Sequence, residues 1–148
     1  MTHRYVFHSE WHLPAAPDEV YAALRDVASY PTWWPQVRSV RQLDQTRGEL
    51  RCRSLLPYDL VFEIDRDVED PDARVLAARQ TGDLEGTSRW SIAAADDGSV
   101  AAFDEDVVVR KALVRRAGLV ARPVLRFNHG LMMRDGERGL RRYLQRED

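Results

Sequence analysis

The chain has 148 residues, 44% of them hydrophobic and 31% charged, with a net charge of −2. That balance belongs to a folded chain of ordinary domain size, and it gives no global pull towards nucleic acid or an anionic membrane surface. No apolar run approaches the roughly 20 residues that span a bilayer, and Cys52 is the single cysteine, which excludes an intrachain disulfide and a cysteine-built zinc cluster.

The N-terminal MTHRYVFHSEW lacks the basic start and apolar stretch of a signal peptide, so a cytoplasmic location is expected. No repeat, low-complexity tract or linker interrupts the chain, which reads as one domain over residues 1–148. Residues 3–13 alternate, with Tyr5, Phe7, Trp11 and Leu13 on one side and Arg4, His8, Glu10 and His12 on the other. This is the pattern of a half-buried strand, and Pro14 ends it. Pro17 then opens a short amphipathic helix, with Asp18 and Glu19 near the positive end of its dipole. Val20, Leu24 and Val27 share one face, with Tyr21 beside them. The helix runs into YPTWWPQV, where half of the four tryptophans sit between Pro31 and Pro35.

From residue 37 to 109 the chain reads as six consecutive strands on turn-type links. Leu50, Cys52, Ser54 and Leu56 alternate with Glu49, Arg51 and Arg53, and beyond Pro57 Leu60, Phe62 and Ile64 alternate with Asp59, Glu63 and Asp65. After the turn Glu69–Ala73, Leu76, Ala78 and Gln80 share a face; Leu84, Gly86, Ser88, Trp90 and Ile92 do so in the next strand. Asp96–Ser99 is a hairpin signal, and the last strand groups Ala101, Phe103, Glu105, Val107 and Val109. Beyond residue 110 the period becomes helical, with Gly118 and Pro123 dividing a short piece from a longer one. In the longer piece Leu125, His129, Met132, Met133, Gly136, Leu140, Tyr143 and Leu144 form the stripe that would face a sheet. The expected fold class is α+β: a curved antiparallel sheet of about seven strands wrapped round a long C-terminal helix, with one or two short helices between the first two strands.

The segments WHLPAAPDEVYAALRDVASYPTWWPQV, LPYDL, GDLEG with its following Trp90, and RFNHGLMMRDGERGLRRYL resemble the START-like (SRPBCC) helix-grip superfamily. More narrowly they resemble its bacterial polyketide cyclase/dehydrase and lipid-transport group, and the resemblance covers nearly the whole chain. It implies a cavity between sheet and long helix that takes a hydrophobic, polyketide- or lipid-like molecule, with no metal and no organic cofactor. Under that layout the alternation nominates a wall of Trp11, Cys52, Ser54, Leu60, Phe62, Leu76, Gln80, Ser88, Trp90, Phe103 and Glu105. The helix would add His129, Met133, Gly136 and Leu140. The same side chains would also fill a solid core. The prolines of YPTWWPQV would stiffen one helical turn that aims its indoles apart, Trp34 into the base of the small helices and Trp33 towards the cavity mouth.

Few residues are equipped for chemistry. Glu105 shares a face with Phe103 and Val107, so it is either a desolvated acid suited to proton transfer or ligand anchoring, or a strand-end acid in water or paired with an arginine. The helix stripe can turn one of Asn128 and His129 fully into the cavity, and a His129–Glu105 pair would serve as a proton shuttle or simply satisfy a structural histidine. His8 and His12 lie roughly 13 Å apart along a strand, too far to share one metal ion. Cys52 and Ser54 have no His–Asp partner in view and read as small packing residues rather than nucleophiles. From Arg110 onward the chain carries eleven of its 22 basic residues against four acids, but the arginines oppose the apolar stripe and Glu137 can pair with Arg141. A solvated helix face is expected there, without a phosphate loop or the basic–aromatic interleaving of a nucleic-acid binder. Two functions follow as expectations: a non-catalytic binding or carrier module, and a cyclase/aromatase-like enzyme using Glu105 and His129. A third is an interaction protein whose basic helix touches a partner.

Overall fold

A computed structural model describes residues 4–53, 59–110 and 121–146. The chain runs through β1 (Arg4–Leu13), α1 (Pro17–Arg25), a 3-10 turn (Val27–Ser29), α2 (Tyr30–Trp33), β2 (Val37–Gln42) and β3 (Arg47–Cys52). It continues through β4 (Leu60–Asp70), β5 (Val75–Gly82), β6 (Leu84–Ala95), β7 (Gly98–Val109) and the long α3 (Ala121–Gln145). The strands form one antiparallel sheet in the order β1-β7-β6-β5-β4-β3-β2. Strands β2 to β6 each pair with the next in sequence and β7 closes onto β1, while α1 and α2 carry the chain from one sheet edge to the other.

Period-two burial positions the inner face. Along β7 every second residue from Ser99 to Val109 is buried, and the register with its neighbours builds rows of side chains across the sheet. One row reads Phe7, Glu105, Ser88, Ala78, Arg66; the next reads Tyr5, Val107, Gly86, Gln80, Ile64. Register shifts between Arg66 and Val68 and between Val37 and Ser39 mark bulges, which bend a sheet and increase its twist. The curved sheet holds α3 against its inner face, so the α+β helix-grip architecture expected from the sequence is the one observed. The expected short helical piece before α3 lies outside the described residues. Among the described residues no helix is long and apolar enough to cross a membrane.

Helix α3 has 25 residues, about 37 Å of helix, and it buries Leu125, Asn128, Met133, Gly136 and Leu140. Leu24 and Leu140 are fully buried, and each such burial contributes about 1.5–3 kcal/mol relative to exposure. Two glycines let the helix lie close to the tryptophans. A Cβ on Gly136 would sit 2.6 Å from the Trp34 ring and 2.8 Å from that of Trp11, and one on Gly139 would run into the Trp33 carbonyl oxygen. Trp34 Nε1 donates to the Met132 carbonyl at 2.9 Å, and Gln36 Nε2 donates to Asp135 Oδ2 at 2.7 Å.

The YPTWWPQV segment departs from expectation in one respect. Pro31 sits in the first turn of α2, as expected, and Trp34 leaves the helix in extended conformation (φ −110°, ψ 100°), as the residue before a proline must. That switch swings Trp34 alongside Trp33 instead of away from it. The two rings stack at 5.4 Å with 16° between planes, and both are buried, at 5% and 6% exposure.

Candidate functional site

Between the inner sheet face and α3 lies a cavity of about 150 Å³. A single water needs roughly 10–15 Å³ on this measure, so the space is a chamber rather than a packing defect. The alternation of β3 to β7 brings Cys52, Leu60, Phe62, Leu76, Gln80, Ser88, Trp90 and Phe103 to its wall, together with Glu105. From α3 come His129 and Met133. Three residues nominated by alternation or helix stripe stand elsewhere. Trp11 lies behind the wall, its ring 5.1 Å from that of Trp34 and 4.8 Å from that of Trp90. Gly136 is pressed against the Trp11 and Trp34 rings, and Leu140 belongs to the hydrophobic core beyond them. Ser54 lies outside the described residues.

The assignment of the paired tryptophans is reversed. Trp34 lines the cavity, while Trp33 packs away from it against Trp11, Tyr30 and Tyr143, its Nε1 donating to Ser29 Oγ at 3.2 Å. The physical reason is the extended turn at Trp34 described above. Both Asn128 and His129 line the cavity, with Asn128 buried and His129 only partly so, as expected of a stripe that turns one of them in fully. Adjacent helical positions are about 100° apart, and a sheet that curls round the helix offers wall on both flanks. Alternation also contained signals that went unread. Tyr5 and Phe7 continue the inward face of β1 into the cavity, and Leu60, Phe62, Ile64 extends by one step to Arg66, which lines it too.

The polar centre is a pair. His129 Nε2 lies 3.2 Å from Glu105 Oε1, with the side chains only 16% and 8% exposed. Glu105 reaches this position because β7 places it between Phe7 of β1 and Ser88 of β6 on the inner face. The Phe7 ring stacks on the His129 imidazole, 3.7 Å between centroids and 9° between planes, which holds the imidazole plane. Asn128 Nδ2 approaches Met132 Sδ at 4.0 Å. Tyr30 is buried at the cavity and donates to the Leu24 carbonyl at 2.6 Å; burial pushes its phenol above the ordinary range. Burial, and then the nearby Glu105 and Asp59 carboxylates, push the Cys52 thiol up to about 12, so it is no nucleophile at neutral pH.

The other polar features lie outside. His8 Nδ1 stands 2.6 Å from Asp104 Oδ1 on the exposed sheet face, and no metal-binding group of three or more His, Cys, Asp or Glu side chains occurs among the described residues. On α3, Arg141 pairs with Glu137 at 3.5 Å and donates from Nε to the His12 carbonyl at 2.7 Å, so this arginine ties the helix to β1.

Three solved structures share this architecture over almost the whole chain. The Zhui aromatase/cyclase from Streptomyces sp. R1128 superposes with a TM-score of 0.78 at 20% identity, covering 98% of this chain and 96% of its own. A START superfamily protein from Mycobacterium smegmatis gives 0.72 at 16% identity, covering 99% of each chain. The di-domain ARO/CYC BexL from the BE-7585A biosynthetic pathway gives 0.72 at 22% identity, with 97% of this chain matching half (50%) of the larger protein. At these identities the likeness establishes the fold alone. Comparison with curated proteins gives no match. The sequence family described as polyketide cyclase / dehydrase and lipid transport, however, matches residues 5–145. By its sequence, then, the chain belongs to the polyketide cyclase/dehydrase and lipid transport family.

Proposed function

We propose that this protein binds a hydrophobic, polyketide- or lipid-like small molecule in the chamber between the sheet and α3. The observation that carries this reading is the chamber itself: a space of about 150 Å³ walled mainly by apolar and aromatic side chains, with a few polar groups converging on it. A bound molecule would gain by leaving water for that wall, and the polar groups would orient it. The test is saturable binding of an apolar fluorescent probe, N-phenyl-1-naphthylamine, at one site per chain. A signal that rises linearly without saturating would contradict the reading.

A second reading has a specific observation in its favour, the Glu105–His129 pair at the chamber wall. With the Glu105 carboxylate 3.2 Å from Nε2 favouring the tautomer that carries its proton there, His129 Nδ1 is left with a lone pair that can accept a proton. In a ring closure of aldol type, a carbon next to a carbonyl would give its proton to Nδ1. The resulting enolate would attack a second carbonyl, and the new alkoxide would take the proton back. No oxidant or other co-reactant is consumed. Glu105 would stabilise the imidazolium that forms in between, and general acid–base groups of this kind contribute about 10²–10⁴-fold. Glu105→Gln and His129→Ala should therefore each slow cyclisation of a poly-β-ketone by at least about 100-fold while saturable probe binding persists. Wild-type rates in both variants would rule out this mechanism and leave the binding role standing.

A further inference from the structure

The chamber wall contains a second polar group whose position the Glu105–His129 pair does not explain. Gln80 is 5% exposed and lines the chamber, yet its side-chain carbonyl oxygen has no hydrogen-bond partner among the described residues. The register shows why the fold supplies none. On the inner face its cross-strand neighbours are Ile64 on one side and Gly86 on the other, and along β5 it is flanked on the same face by Ala78 and Gly82. Two of these are apolar and two have no side chain. A Cβ at Gly86 would run into the Asp106 carbonyl oxygen, so the gap beside Gln80 is held open by the backbone path.

A buried carbonyl oxygen without a partner weakens the fold, and in natural proteins such a group calls for a specific explanation. An apolar side chain of similar size would serve packing better. We propose that Gln80 is a specificity-determining residue that hydrogen-bonds a hydroxyl group on the ligand's ring system, so that the chamber selects hydroxylated aromatic compounds over bare hydrocarbons. A hydroxyl is the fitting partner because it donates and accepts, and a primary amide offers either end by rotation about its last bond. This assignment rests on the chamber being the binding site. It separates two jobs on the wall: Glu105 is already engaged by His129, while Gln80 is held for the ligand.

The experiment compares 2-naphthol with naphthalene, two probes of nearly equal size that differ by one hydroxyl, against wild type and Gln80→Leu. In wild type, 2-naphthol should bind at least as tightly as naphthalene despite the cost of desolvating its hydroxyl. In Gln80→Leu the ratio of the two dissociation constants should move about tenfold in favour of naphthalene, because the hydroxyl then enters a site with no partner for it. The urea midpoint of the unliganded variant should rise, since a side chain whose buried oxygen has no partner has been replaced by an apolar group. An unchanged ratio in Gln80→Leu would overturn the assignment, as would a variant that lowers the urea midpoint and weakens both probes equally, the signature of a purely structural glutamine. If wild type bound naphthalene while rejecting 2-naphthol, this inference alone would fall. If it bound neither, the binding reading would fall with it.

Discussion

Trp34 joins the fold to the chamber, and truncating it to alanine separates the two effects. Its ring packs 5.1 Å from Trp11, 5.4 Å from Trp33 and 5.7 Å from Tyr30, and its indole N–H holds the Met132 carbonyl at 2.9 Å. A buried Trp removes roughly 150–250 Å² from water. At about 25 cal/mol per Å² that is on the order of 4–6 kcal/mol, with about 1 kcal/mol more for the hydrogen bond. One side of the ring already borders open space, so less packing is lost than in a solid core, and the expected cost is about 3–5 kcal/mol. For a chain of this size that corresponds to a fall in Tm of roughly 10 °C or more. Urea unfolding followed by far-UV circular dichroism measures the cost without relying on tryptophan fluorescence. Trp33→Ala should cost a similar amount, because Trp33 is equally buried, but only Trp34→Ala should also weaken probe binding by altering the wall. A loss below about 1 kcal/mol for Trp34→Ala would refute the packing account, and equal binding losses in both variants would refute the placement of Trp34 alone at the chamber.

Two glycines of α3 make an internally controlled pair. Gly139→Ala drives a methyl into the Trp33 carbonyl and should destabilise by about 1–3 kcal/mol, whereas Gly130, with nothing within 4 Å, should gain up to about 1 kcal/mol on becoming alanine. Equal effects in urea would show that α3 does not press on the tryptophan turn. Cys52, buried with its thiol pushed up to about 12, should resist a thiol reagent such as 5,5′-dithiobis(2-nitrobenzoate) at pH 8 in the folded protein and react fully in denaturant. Rapid reaction of the native protein would mean that the wall around Cys52 opens readily. The Arg47 guanidinium, with the Thr46 and Arg47 backbone N–H groups, holds the Asp44 carboxyl down to about 2. Because this pKa is depressed, its contribution is present above the ordinary value of about 3.9 and is lost as pH falls through about 2. A side-chain carboxyl titration by NMR with a midpoint near 4 would contradict that turn geometry.

Period-two alternation made most of the wall legible, because a residue's parity on a paired strand decides which face it takes. Leu60, Phe62, Leu76, Gln80, Ser88, Trp90, Phe103 and Glu105 all reach the chamber for that reason. The strand order was legible as well, since short turn-type links leave little choice but a meander. What alternation could not convey was depth. Trp11 has the right parity but stands behind the wall, because the close approach of α3 at Gly136 closes that end of the space. The stacking of Trp33 on Trp34 depends on one backbone switch before Pro35, and neither helical nor strand period describes such a step. The shared access of Asn128 and His129 depends on how far the sheet curls, which follows from bulges that appear only in the pairing register. The missing partner of Gln80 is likewise a fact about neighbouring strands, invisible until Ile64 and Gly86 are seen beside it.

The central claim is that the space between sheet and α3 is a real chamber that holds the ligand, and Ala78→Phe tests it most directly. Ala78 is buried at the wall between Ser88 and Arg66 in the cross-strand row, so a phenyl ring there would project into the space. If the chamber is open, the ring fills it: N-phenyl-1-naphthylamine binding should be lost while the far-UV spectrum and urea midpoint stay at or above wild-type values. Binding at wild-type affinity in the variant would place the probe elsewhere. Loss of the folded state, as overpacking of a solid core produces, would show that there was no chamber to fill.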